Sequence, residues 1–133
     1  MVSLSNNIRK DPHSFATSIT ENSLDDMIDY VFEILSTTYI CIQFGYQEEM
    51  TEQQQAIVST HGKKLGERLG IVLSDDMNEK IFVWSRKNLE NYNWIYNVWV
   101  LLNTKYYDLN RKNHEKFKYT LYFFQENLFK MEN

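Results

Sequence analysis

The chain has 133 residues, 43% of them apolar, 15% aromatic and 24% charged, with a formal net charge of −4 at pH 7. That length is one domain by the usual size range, and the apolar share is enough for a core that needs neither disulfides nor a structural metal. One cysteine excludes an internal disulfide, and one proline with four glycines leaves few breakers, favouring long helices over a many-turned β fold.

Met1–Asp11 carries no apolar h-region, so no signal peptide is expected. A lone thiol, Cys41, set among Tyr39, Ile40, Ile42 and Phe44, fits a reducing, cytoplasmic setting and reads as a small buried hydrophobe. Abundant Asn, Lys, Tyr and Ile suit an AT-rich coding sequence, as in viruses, phages and low-GC bacteria. The charge is uneven. Residues 1–60 hold two bases against nine acids, net −7, and residues 61–133 hold twelve against nine, net +3.

In chain order, residues 1–22 lack apolar periodicity and contain Pro12, so they are expected to form a flexible arm, with Phe15 and Ile19 able to touch the domain. The domain proper spans 23–133. Ser23 with Asp26 has capping-box spacing, and Leu24, Met27, Ile28, Val31, Phe32 and Leu35 make one stripe of a helix stopping near Gly45. On that helix Glu21, Asp25, Asp29 and Glu33 step by four, an acidic row able to steer a basic partner.

Thr51 with Gln54 is a second capping box, opening a helix to about Gly70. Gly62, Gly66 and Gly70 fall four apart on it, which predicts either a closely crossing helix or a break near Gly62. Ser74, Asp75 and Asp76 are expected to start a third helix, with Met77, Ile81, Phe82 and Trp84 inward, ending at Arg86–Asn88.

Tyr92–Leu102 is the densest apolar run, broken only by Asn93 and Asn97. A helix apolar nearly all round is a buried one, so residues 89–107 are read as the central helix. The run is too short and too interrupted to span a bilayer. Asp108–Asn113 is turn-like, and the final helix, His114–Lys130, is expected to bury Phe117, Leu121, Phe124 and Leu128. That leaves Tyr119, Tyr122, Phe123 and Phe129 over, suited to a groove or a dimer face. The fold class is thus all-α: about five helices around an aromatic-rich central one.

The chemistry is chiefly absent. His13, His61 and His114 are far apart, and no H-x-x-x-H, C-x-x-C, phosphate loop or nucleophile elbow occurs. Neither metal, cofactor nor catalysis is expected. Lys105, Arg111, Lys112, Lys116 and Lys118 interleave with aromatics, a pattern that can bind nucleic acid, although Asp108 and Glu115 dilute it. Leu65–Gly70, L-G-E-R-L-G, resembles part of a BH3-like segment with Ile71 where an Asp belongs. Asn93-Trp-Ile-Tyr96 stands nearest to the Asn-Trp-Gly-Arg signature of apoptosis regulators, which would imply a helical groove protein of the viral Bcl-2 type.

The leading expectation is a non-enzymatic protein-binding module that inhibits or neutralises a partner protein, as a toxin-immunity protein or a viral or phage antagonist does. Its contacts are Glu21, Asp25, Asp29, Glu33, Tyr119, Tyr122 and Phe123. The alternatives are a small nucleic-acid-binding regulator and the apoptosis regulator.

Overall fold

Tyr92, Ile95, Val98, Trp99 and Leu102 are completely buried, and the helix that carries them is the axle of the molecule. Burying each such side chain contributes roughly 1.5–3 kcal/mol. The computed structural model of the chain describes residues 4–8 and 10–132. Residues 1–3 and 9, within the expected arm, and residue 133, at the end of the expected domain, lie outside the described residues.

Among the described residues every regular element is helical. They are α1 (Pro12–Ser18), α2 (Leu24–Gln43), α3 (Glu52–Ile57), α4 (Lys63–Leu69), α5 (Lys80–Lys87), α6 (Leu89–Asn110) and α7 (Gln125–Lys130). The central helix α6 packs against α1, α2, α5 and α7. It runs three residues past the expected end at 107 before Arg111, at φ 59°, turns the chain. Trp94 and Leu101 are only half-buried, so the helix is not hidden on every side as its composition suggests. Among the described residues no helix is long and apolar enough to cross a membrane.

Asn88 separates α5 from α6. Its extended backbone, φ −155° and ψ 167°, breaks the rod, and its side chain accepts from the Asn91 amide at 2.8 Å. Helix α2 ends where expected, Gly45 adopting φ 83° just beyond. Its start differs, because Ser23 makes no side-chain cap and sits in a 3₁₀ turn, Glu21–Ser23, that leads straight into α2.

The Thr51–Gln54 capping box forms in both directions, at 3.1 and 3.0 Å. Helices α3 and α4 are one rod joined by a π-helical turn, Val58–Gly62. A methyl group on Gly62 would stand 2.9 Å from Ile40 Cγ2, and one on Gly66 2.9 Å from the Ile71 carbonyl oxygen. Both sequence alternatives therefore hold: α2 approaches closely and the α pattern is interrupted at Gly62.

Three expectations need correction. The segment 1–22 is not a loose arm in its described part. Asp11 caps α1 through the Ser14 amide, Pro12 takes the first helical position, and Leu4, Phe15, Ala16 and Ile19 are buried. Trp94 Nε1 donates to the Lys10 carbonyl at 2.8 Å, and Lys105 Nζ donates to the carbonyls of Ala16, Thr17 and Ile19. So few apolar residues, so widely spaced, give no periodicity to detect.

The third helix begins at Lys80, not Ser74. The wholly buried Arg86 is the reason. Its Nη1 donates to the Met77 carbonyl, Nη2 donates to the Glu48 carbonyl at 3.1 Å and to Asn78 Oδ1 at 3.0 Å, and Nε donates to the Glu48 carbonyl at 3.4 Å. Asn78 in turn exchanges two bonds with the Met50 backbone. Residues 75–79 are held as a turn by these bonds and cannot wind into the helix.

The last segment is the third correction. It is a 3₁₀ turn (Glu115–Lys118), a π-helical turn (Thr120–Phe124) and then α7. The buried positions are Thr120, Phe124, Asn127 and Met131, which share only Phe124 with the expected stripe, and Leu121 is 75% exposed.

Candidate functional site

The phase of the last segment is set by the central helix. Trp99 Nε1, fully buried, needs an acceptor and finds Thr120 Oγ1 at 2.7 Å. The buried Tyr92 hydroxyl donates to the Phe124 carbonyl at 2.9 Å, and burial pushes its pKa far up. Leaving either donor unpaired in the core would cost about 1–3 kcal/mol, more than burying one extra leucine face gains after its own ordering. Thr120 therefore goes in, and Leu121, Tyr122 and Phe129 stay out, at 75%, 66% and 66% exposure.

Two grooves flank this outward stripe. One, about 440 Å³, runs between Leu89, Asn93, Leu128 and Phe129, with Glu90 and Glu132 at its rim. The other, about 540 Å³, is walled by Tyr96, Val100, Phe117 and Leu121, with Glu115 and Lys118 at its edge. Gln125 lines both.

The candidate residues of the last segment divide. Tyr122 is exposed, as an interface residue should be. Tyr119 and Phe123 are half-buried, stacked on each other at 5.9 Å, with Tyr119 against Phe32 and Phe123 against Tyr39. They pack the bundle and supply the wall from which Tyr122 projects.

The acidic row is only partly maintained. Glu21 and Asp25 are exposed. Asp29 is exposed but accepts from Lys116 Nζ at 2.7 Å, so its charge is locally answered. Glu33 is half-buried beside the acids of the following turn. Burial first, then Glu79, Asp75 and Asp76, hold its carboxyl above the usual range.

The basic set is dispersed too. Lys105 caps the carbonyl end of α1, Lys116 pairs with Asp29 and lies 5.1 Å over the Phe32 ring, and Lys118 lies 5.3 Å over Tyr119. Arg111 and Lys112 are exposed at the turn after α6. Three of the five cations are thus engaged within the fold, and the other two do not form a stripe with stackable rings.

His13 and His61 are exposed, and no group of metal-ligating side chains gathers among the described residues. His114 is half-buried against Tyr106 and accepts from the Lys116 amide through Nδ1 at 3.0 Å; burial lowers its pKa. Cys41 is fully buried and burial raises its thiol to about 11, so it is no nucleophile.

The outward face of Leu121 is not legible by spacing, which assigns it to the core, whereas Tyr122 and Phe129, left over from that stripe, are exposed. The signal was present: Trp99 and Tyr92 each carry a polar tip, and Thr120 lies on the facing segment. Arg86 was likewise taken as a helix-end charge, and nothing in its neighbours marks it as buried. No family of known proteins, no curated protein and no solved structure matches this chain.

Proposed function

We propose that the chain is a non-enzymatic protein-binding module whose contact surface is the outward stripe of the last helical segment, Leu121, Tyr122 and Phe129, with the grooves beside it. In this reading it acts by occupying a partner protein, as an inhibitor or neutraliser in the manner of an immunity protein or a viral or phage antagonist. One observation carries the reading: this segment has two apolar phases, and hydrogen bonds from Trp99 and Tyr92 commit the more polar one to the core. A stable monomer gains nothing from three large side chains left at two-thirds exposure or more on one short segment, whereas interfaces favour Tyr and Phe at such places.

The test is paired affinity capture from lysate of the source cells, comparing the natural chain with the double variant Leu121→Ser, Phe129→Ser. Circular dichroism and the melting temperature should stay unchanged, since both side chains are already in water. A partner retained by the natural chain and lost by the variant supports the reading. Identical captured sets for the two proteins overturn it.

A further inference from the structure

The two grooves are two halves of one trough. On α6 the wall residues Leu89, Asn93, Tyr96 and Val100 follow one another at intervals of four, three and four, a single helical face. On the facing segment Leu121, Gln125, Leu128 and Glu132 repeat the same intervals in the opposite direction. Gln125 lines both halves, opposite the step from Asn93 to Tyr96. From Leu89 to Val100 the trough runs about 16 Å, at 1.5 Å per helical residue. Both halves carry apolar side chains, Leu89, Leu128 and Phe129 in one and Val100, Phe117 and Leu121 in the other, and they meet at the amides of Asn93 and Gln125.

We propose that this trough takes an amphipathic helix of about three turns from a partner protein, with basic residues in its first turn. The proposal rests on the protein-binding reading above and names the partner's chemistry. Two helical walls with apolar side chains in both halves suit a helix that lays down side chains at i, i+4 and i+7 or i+8. Among the described residues no strand exists, so no free sheet edge invites an extended peptide.

The charges choose the occupant. The half at Leu89 and Phe129 carries Glu90 and Glu132 and no base, whereas the half at Phe117 and Leu121 sets Glu115 against Lys118. A second copy of this chain would bring a face of net −2 onto another of net −2. A helix with lysines or arginines in its first turn meets Glu90 and Glu132, and its positive dipole end lies at the same place. Its carbonyl end then meets Lys118. The bound helix is thereby oriented, parallel to α6.

The probe is a fluorescent sixteen-residue helical peptide with leucine at four positions along one face and lysine in its first turn. A twin peptide has glutamate in place of each lysine. Fluorescence anisotropy with the full chain should show the lysine peptide bound more tightly than its twin, and less tightly as salt rises. The variant Glu90→Lys, Glu132→Lys should weaken the lysine peptide about tenfold, some 1.4 kcal/mol, and favour the twin. The variant Leu121→Ser, Phe129→Ser should abolish binding of both, and a Glu21→Lys, Asp25→Lys control, remote from the trough, should change neither.

Equal binding of the two peptides, or indifference to reversal at Glu90 and Glu132, overturns the proposal. So does a dimer in sedimentation that dissolves in Leu121→Ser, Phe129→Ser while no peptide binds, since a second copy would then cover the trough. If the peptides fail but the capture experiment still depends on Leu121 and Phe129, the protein-binding reading stands without this helix. If capture is also indifferent, both fall.

Discussion

At the scale of single residues, Arg86 shows how one side chain can fix a loop system. Its guanidinium answers the carbonyls of Glu48 and Met77 and the amide of Asn78, joining the turn after α2 to the turn before α5. Among the described residues no carboxylate forms a salt bridge with it, and burial lowers its pKa. Replacing it by methionine, Arg86→Met, keeps the volume but orphans two carbonyls. The expected loss is about 2–6 kcal/mol, from one to three per orphaned acceptor, measured by urea unfolding. Lysine should not rescue it, having no fork to reach both turns. Glu33 works in the opposite sense. A carboxyl whose folded pKa is raised binds protons more readily folded than unfolded, so its contribution is present at acid pH and lost as pH rises through the folded pKa. Glu33→Gln should therefore stabilise the protein at pH 7, by no more than about 0.5 kcal/mol because water still screens this half-buried site. The gain should vanish in melts run below the ordinary carboxylate range. An equal gain at both pH values would show that charge is not the cause.

At the scale of elements, the contest between pattern and partner decides the last helix. Periodicity alone ranks Phe117, Leu121, Phe124 and Leu128 as the core stripe, and only Phe124 is fully buried. The winning phase is chosen by two polar tips on α6. Thr120→Ala should cost about 1–3 kcal/mol by stranding Trp99 Nε1, whereas Leu121→Ala should cost under about 0.5 kcal/mol. Thermal unfolding of the two variants decides the order, and a larger loss for Leu121→Ala would restore the pattern-based stripe. The helices with strong local signals were legible in the sequence: α2 by its dense stripe and Gly45, the α3–α4 rod by its capping box, and α6 by its apolar density. The candidate site was legible only in part: Tyr122 and Phe129 fell outside the expected stripe, but exposure of Leu121 depends on a hydrogen bond between residues more than twenty positions apart. Glycine behaved likewise. Helix propensity says that Gly66→Ala should help by up to about 1 kcal/mol, but the new methyl group would meet the Ile71 carbonyl oxygen at 2.9 Å, and backbone cannot step aside cheaply. A net loss of about 1–3 kcal/mol is expected, read from the urea midpoint at unchanged slope.

At the scale of the whole molecule, the uneven charge of the sequence does not become one acidic face and one basic face. Lys116 crosses to Asp29, Lys105 turns inward to α1, and Glu33 sinks toward the acids of 75–79. What remains for a partner is an apolar trough with acid concentrated at one end, a polarity too local to read from halves of the chain. The all-helical architecture followed from sparse breakers and one very apolar helix, but the bundle is completed by a segment the sequence left aside.

The docking of α1 has a practical corollary for anyone who handles this protein. Phe15 lies 5.9 Å from Trp94, and the indole of Trp94 is tied to Lys10. Trimming residues 1–22 as a dispensable handle would unroof a strip of α6. The shortened chain should emit at longer wavelength on tryptophan excitation and clump on warming, because α1 roofs that strip of α6.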